Sequence, residues 1–227
     1  MLRKGGITLQ KILQKRVKIA RRLADELKKD QVVNVGVGIP TLVPNYLEDT
    51  QVYIHSENGL LGMGPNAQNE DIDMDLISAS KKPVTMIQGA SLFDSSQSFA
   101  MIRGGHIDVA VLGALQVDET GEIANWAVPG ERILGVGGAM DLVAGAKTII
   151  VGLSHQAKNG DPKIVQKLTC PSSGSRKVDM VVTERAVFDV KDGKMFLKEM
   201  DPTISIEDLK KMTSAHFEVS SDLSKNY

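Results

Sequence analysis

Apolar residues recur at three- and four-residue spacing from the start of the chain. Leu9, Ile12, Leu13, Val17, Ala20, Leu23, Ala24 and Leu27 fall on one helical face and Lys and Arg fill the other, so the spacing predicts an amphipathic helix over residues 8–29 with Thr8 as its N-cap. The pattern then changes to short β-branched runs. Residues 31–35 (Gln-Val-Val-Asn-Val) and 51–55 read as strands, separated by Gly36-Val37-Gly38, Pro40 and a brief helix over 41–47. Further strands are expected at 84–87, 106–112, 147–153, 177–182, 186–190 and 194–197, with an Asp192-Gly193 hairpin turn before the last. Helical segments are expected at 99–102, 139–146 and 206–213, the last behind a capping-box-like Ser205-Ile-Glu-Asp208. Residues 63–83 and 116–138 read as loop, and the polar tail after Val219 as frayed.

Several of these strands, 147–153 above all, are apolar on both faces, as strands covered by helices on two sides must be. Alternation with helices and glycine loops predicts an α/β fold: a three-layer α/β/α arrangement around a mostly parallel sheet. No repeat or linker interrupts it, so residues 1–227 are expected to form one domain with its core at about 8–219. Ligands of such sheets gather at the carboxyl ends of the strands, where Gly36, Gly38, Glu57 and Gly113 would lie.

Composition narrows the partners. The net charge is -1, although residues 1–30 hold ten Lys and Arg against three Asp and Glu; the helical period reads that excess as a solvated face, and no nucleic-acid partner is expected. The single cysteine, Cys170, excludes an intrachain disulfide and a multi-thiolate metal site and fits a reducing, cytoplasmic setting. No uncharged run is long enough for a membrane helix, and no histidine pair has ligand spacing, so neither membrane nor metal is expected.

The candidate chemistry lies in His55-Ser-Glu-Asn-Gly-Leu-Leu-Gly-Met-Gly-Pro65. A run of strand character ends in a carboxylate beside backbone able to approach a ligand closely. Three readings compete. Gly36-x-Gly38-x-x-Thr41, with Glu57 about twenty residues on, suggests a dinucleotide fingerprint in which Glu57 binds ribose; Thr41 in the third glycine's place, Pro40 and the short crossover argue against it. His55-x-Glu57 opens a zinc deaminase signature that one cysteine cannot complete. In the third reading Glu57 is a nucleophile, with Asn58-Gly59 and Gly137-Gly138 aiming backbone N–H groups at an oxyanion. A solvated carboxylate and glycines that serve only packing are the bland alternative to all three.

The residues also carry a resemblance. Val33-Asn-Val-Gly-Val-Gly-Ile-Pro-Thr41, Ser56-Glu-Asn-Gly-Leu-Leu-Gly-Met-Gly-Pro65, Phe93-Asp-Ser95, Ser98-Phe-Ala-Met-Ile-Arg-Gly-Gly-His-Ile-Asp108, Ala124-Asn-Trp126 and Gly137-Gly-Ala-Met-Asp-Leu-Val143 resemble the B subunits of family I CoA-transferases, the 3-oxoacid and acetate–acetoacetate group. The resemblance implies that Glu57 is the nucleophile and forms a transient glutamyl-CoA thioester. Coenzyme A would be a substrate rather than a tightly bound cofactor. It implies short acyl-CoA and carboxylic acid substrates, and an A-type partner subunit in a hetero-oligomer. The chain departs from the family pattern at Glu131, at Ser154, at Pro171-Ser172-Ser173-Gly174, and at Ser78 and Ser80. These departures bear on acyl preference and partner surface more than on reaction class.

Overall fold

A computed structural model of the chain describes residues 3–47, 51–130, 133, 135–225 and 227. In chain order its elements are α1 (Arg3–Ala24), β1 (Val32–Val35), a 3-10 helix (Pro40–Tyr46), β2 (Tyr53–Ser56), β3 (Leu60–Asn66), a 3-10 turn (Asn69–Asp71), β4 (Val84–Leu92), α2 (Ser95–Arg103), β5 (Val109–Gly113), β6 (Gln116–Asp118), β7 (Ile123–Ala124), α3 (Ala139–Gly145), β8 (Thr148–Gly152), β9 (Ile164–Val165), β10 (Met180–Val182), β11 (Ala186–Lys191), β12 (Lys194–Met200), α4 (Ile206–Lys211) and β13 (Glu218–Ser224).

Ten strands form one sheet in the order β13-β12-β11-β10-β8-β5-β1-β2-β3-β4. The run β10-β8-β5-β1-β2 is parallel throughout, and antiparallel strands flank it. Alternation along β5 shows why its apolar run is continuous. Val109 and Val111 pack towards α1 with Ile19, Leu23 and Val43, whereas Ala110 and Leu112 pack on the opposite face with Ile102, Leu142 and Val143 of α2 and α3. Both faces are thus covered, and the three layers expected from the sequence are present. A separate three-stranded sheet, β7-β6-β9, sits beside them.

Several boundaries move. The first helix begins at Arg3 and ends at Ala24, so Thr8 lies inside it rather than capping it. Beyond Ala24 the turns tighten, with Glu26 N–H donating to Leu23 O and Leu27 N–H to Ala24 O. Leu27 stays buried there, which is why the apolar period ran past the helix. Loop was expected at 63–83, yet β3 runs to Asn66 as the antiparallel partner of β2 and β4. Its glycines allow this: a Cβ on Gly64 would lie 2.4 Å from Thr85 Oγ1, and Gly62 has φ +84° where the register shifts. Residues 116–124 are not irregular but a hairpin, β6 and β7, whose strands are too short to show a period. Helix α2 starts at Ser95 because Asp94 caps it, accepting a hydrogen bond from Gln97 N–H at 2.8 Å. From Val219 to Ser224 the tail is strand, not frayed: β13 pairs in parallel with β12, and an edge strand tolerates its polar side chains. The Ser205 cap is as expected, accepting from Asp208 N–H at 3.0 Å, and Asp192 and Gly193 both have positive φ in the β11–β12 turn.

Candidate active site

The parallel neighbours β2, β1 and β5 end at the same edge of the sheet, which places Glu57, Gly36 and Gly113 side by side. Gly36 N–H donates to Val111 O at 2.8 Å, drawing the β1 loop tightly over β5. Beyond it Gly38 has φ +98° and open space around its α-carbon, and Thr41 Oγ1 donates to its carbonyl at 2.8 Å. The loop runs into the 3-10 helix, not into an α-helix. A dinucleotide fingerprint needs a helix N-terminus there to hold a pyrophosphate, so the geometry counts against the ribose-binding reading of Glu57.

Glu57 itself is half-buried on the turn between β2 and β3. That turn is clamped on three sides. Gly59 N–H donates to Ser56 O at 3.0 Å, and Gly59 O accepts from Phe93 N–H at 3.0 Å. Ser56 Oγ accepts from Ala79 N–H at 2.9 Å, and Asn58 Nδ2 donates to Ile77 O at 2.7 Å. The Gly59 N–H is therefore engaged within the turn, and the Asn58 side-chain amide is engaged by Ile77. The second glycine pair comes near the Glu57 side chain. A Cβ on Gly138 would lie 3.5 Å from Glu57 Cγ and 3.3 Å from the Phe99 ring. Gly137, with φ +56°, lies next to it, with nothing among the described residues within 4 Å of a Cβ there.

Beneath Glu57 lies a polar group that pattern reading missed. Asn34 and His55 are register partners on β1 and β2, and both are fully buried. Asn34 Nδ2 lies 3.1 Å from His55 Nδ1 and 3.3 Å from Glu57 Oε2; His55 Nε2 lies 3.0 Å from Ser98 Oγ. The His55 ring stacks on Phe93 at 6.2 Å. Asn34 Oδ1 is buried with no hydrogen-bond partner among the described residues. The available signal was the lone polar residue inside Val32–Val35. A 3.3 Å bond is long, so this network orients Glu57 while leaving most of its acceptor capacity free.

Burial holds His55 neutral, its pKa lowered to about 4. His155, buried between Thr183 and Thr213, is likewise lowered to about 4 by burial. The unfolded chain binds protons to both near pH 6.5 and the folded chain does not, so unfolding gains protons as the pH falls. The expected result is stability that holds above pH 6.5 and falls from there to pH 5 at up to about 1.4 kcal/mol per pH unit for each histidine. Urea midpoints measured across that window check it, and His155→Asn removes its share of the slope.

Of the departures noted in the sequence, Ser172 and Ser173 hold the Asn125-Trp126 segment: Trp126 Nε1 donates to Ser172 O at 3.1 Å and Asn125 N–H to Ser173 Oγ at 3.0 Å. Glu131 lies outside the described residues. Ser78 and Ser80, with their hydroxyls 2.9 Å apart, belong to the segment held by Ser56 and Asn58 on either side of Glu57. Among the described residues no three His, Cys, Asp or Glu side chains converge as a metal set, and no helix is long and apolar enough to cross a membrane.

Residues 16–212 match the family model described as Coenzyme A transferase. The acetate CoA-transferase subunit beta of Escherichia coli (strain K12) is 47% identical over 207 residues, covering 91% of this chain and 94% of that protein. The mitochondrial succinyl-CoA:3-ketoacid coenzyme A transferase 2 of Homo sapiens is 46% identical over 211 residues, covering 92% of this chain but only 41% of that protein. Among solved structures, the apoenzyme of an acyl-CoA transferase, YdiF, from Escherichia coli O157:H7 superposes with a TM-score of 0.76 at 25% identity, over 92% of this chain and 42% of that one.

Proposed function

The chain belongs to the coenzyme A transferase family as a B-type subunit, and from that premise we propose that it moves CoA between a short acyl-CoA and a carboxylate through a covalent intermediate on Glu57. A 3-oxoacid such as acetoacetate is the acid partner, and succinyl-, acetyl- or butyryl-CoA the donor. The observation that carries the reading is the position of Glu57. It is half-buried at the carboxyl edge of the parallel strands, its turn clamped, its Cγ close to Gly138, and its carboxylate held by one long bond from buried Asn34.

The steps follow from the residue. A carboxylate is ionised at neutral pH and needs no general base. Glu57 attacks the thioester carbonyl and expels CoA thiolate, leaving an acyl-glutamyl anhydride. The thiolate attacks the glutamyl carbonyl, the free acid departs, and a glutamyl-CoA thioester remains. The incoming carboxylate attacks that thioester and expels the thiolate. The thiolate then attacks the substrate carbonyl of the new anhydride and restores Glu57. Binding energy from the distant nucleotide end of CoA stabilises the anhydride-like transition states. Backbone donors of the Gly36–Gly38 and Gly137–Gly138 loops serve the oxyanion and CoA, while Asn58 and Gly59 hold the turn. Dry surroundings protect the intermediates from water.

A whole site needs more than this chain. The human relative is more than twice its length, and the B-type subunit works with an A-type half that supplies most of the CoA cradle. The reading treats residues 1–227 as one unit of a cytoplasmic A/B hetero-oligomer. Ping-pong chemistry has a direct kinetic consequence. With the A-type half present and no second acid, labelled carboxylate exchanges into the matching acyl-CoA, because each half-reaction is complete in itself. Exchange that requires the second acid, or hydrolysis alone, contradicts the proposal.

A further inference from the structure

Resting on that reading, we propose that His55 and Ser98 are positioning residues for the transfer, holding the Asn34 side-chain amide with its N–H groups toward Glu57 when the carboxylate has lost its charge. Neither bonds to Glu57 among the described residues. The His55 ring reaches Asn34 with one nitrogen and Ser98 with the other, and Asn34 reaches Glu57. Both His55 and Ser98 are fully buried, so neither meets substrate.

The orientation of the amide follows from what surrounds it. Asn34 Nδ2 carries two N–H groups and has three acceptors within reach: His55 Nδ1 at 3.1 Å, His55 O at 3.3 Å and Glu57 Oε2 at 3.3 Å. Turned over, the amide would set its oxygen against a carboxylate and a carbonyl. While Glu57 is ionised, its charge disfavours that arrangement. In the anhydride and the thioester the charge is gone, and the choice falls to His55. Its Nδ1 must then be the acceptor, which needs a neutral ring with the proton on Nε2. Burial keeps the ring neutral, and Ser98 Oγ stands 3.0 Å from Nε2 to accept from it. A ring with its proton on Nδ1 would instead draw Asn34 Oδ1 toward itself and toward Glu57.

The consequence falls on the glutamyl carbonyl. Asn34 holds Oε2, so Oε1 is left to attack the acyl-CoA and Oε2 becomes the glutamyl carbonyl oxygen of the anhydride. When the thiolate adds to that carbonyl, its π electron pair moves onto Oε2. The pair returns to the carbonyl as the free acid leaves with Oε1. An N–H facing Oε2 stabilises the passing charge, and an amide oxygen there would oppose it.

A second buried histidine shows the contrast with packing alone. His155 ends both ring bonds on hydroxyls, those of Thr183 and Thr213. The His55 line ends on the nucleophile, and it leaves Asn34 Oδ1 buried with no hydrogen-bond partner among the described residues. A group built for stability alone would satisfy that oxygen. Here it is left unpaired while the N–H groups face His55 and Glu57.

The test uses the chain with its A-type half. His55→Phe keeps a ring beside Phe93 and removes both ring hydrogen bonds. Its kcat and kcat/KM for acyl-CoA fall together by about 10- to 100-fold with KM nearly unchanged, less than the loss on deleting an oxyanion donor outright, because Asn34 remains. His55→Asn, whose amide oxygen takes the place of Nδ1, recovers most of kcat. Ser98→Ala lowers kcat about three- to tenfold alone and no further in the His55→Phe background, because it acts through the ring. Ser98→Ala and His55→Asn carry the test if His55→Phe does not fold. An unchanged kcat, a loss confined to KM, a His55→Asn no better than His55→Phe, or losses that multiply in the double variant overturns the inference. The nucleophile reading fails separately, by the absence of a CoA adduct on Glu57 in the unmodified chain.

Discussion

Glu57→Ala loses CoA transfer by a factor on the order of 10⁴ or more, while the protein stays folded. The size follows from the role: a covalent carrier cannot be replaced by water without changing the reaction to hydrolysis, and deleting a nucleophile removes the whole path. Glu57→Gln keeps the shape of the side chain and loses transfer to the same extent, because a neutral amide does not attack a thioester. Glu57→Asp keeps the charge but withdraws it by one methylene, and a displacement of about 1 Å costs on the order of 10²-fold. None of the three changes stability by more than about 1 kcal/mol, since Glu57 is half-buried and makes one long hydrogen bond. Steady-state transfer rates with the A-type half, beside thermal melts of the same variants, separate the two effects.

Gly59→Val has the second largest expected effect, and here stability and activity fall together. Gly59 has φ +118°, and a Cβ there would lie 1.9 Å from the carbonyl oxygen of Phe93. That neighbour is backbone, held by the hydrogen bond from Phe93 N–H to Gly59 O, so it cannot swing aside. Backbone strain and overpacking together cost about 3 kcal/mol, which in a chain of this length lowers Tm by roughly 6–12 °C. The turn that carries Glu57 must shift, and transfer falls about 10²-fold or more. Gly38→Ala provides the contrast. Gly38 also has positive φ, but its surroundings are open, so only the backbone strain of about 1 kcal/mol applies. Equal Tm losses in the two variants would show that the Phe93 contact does not decide the cost.

The alternating strands and their two-sided apolar runs made the three layers legible, because burial on both faces of β5 and β8 leaves a direct trace in composition. The nucleophile candidate was legible from the residues around it. What the glycines near it do was not. Gly62 and Gly64 serve the close approach of β3 to β4, and Gly59 the approach of the turn to Phe93, whereas Gly138, eighty-one residues from Glu57 in the chain, is the one where an added Cβ would meet its side chain. Close approach is a tertiary fact, and a glycine in a sequence does not say which neighbour requires it. The Asn34–His55–Ser98 group was missed for the same reason: the parallel register of β1 and β2 sets Asn34 against His55, and α2 brings Ser98 to them. Strand β13 escaped because edge pairing asks only for backbone. Residues 77–79 stood in a stretch read as loop, and only the clamps from Ser56 and Asn58 bring that stretch to the turn that carries Glu57.

All of this depends on a bond between CoA and one carboxylate. The measurement that tests it most directly is peptide mass mapping of the chain, with its A-type half, after exposure to acyl-CoA in the absence of acceptor. Borohydride added to the mixture reduces a glutamyl thioester to an alcohol and fixes its position. The expected result is full modification of the peptide carrying Glu57, none in Glu57→Gln, and loss of the modification when a carboxylate acceptor is added before the borohydride. Transfer that proceeds with no modified peptide, or with the modification on another residue, contradicts the account.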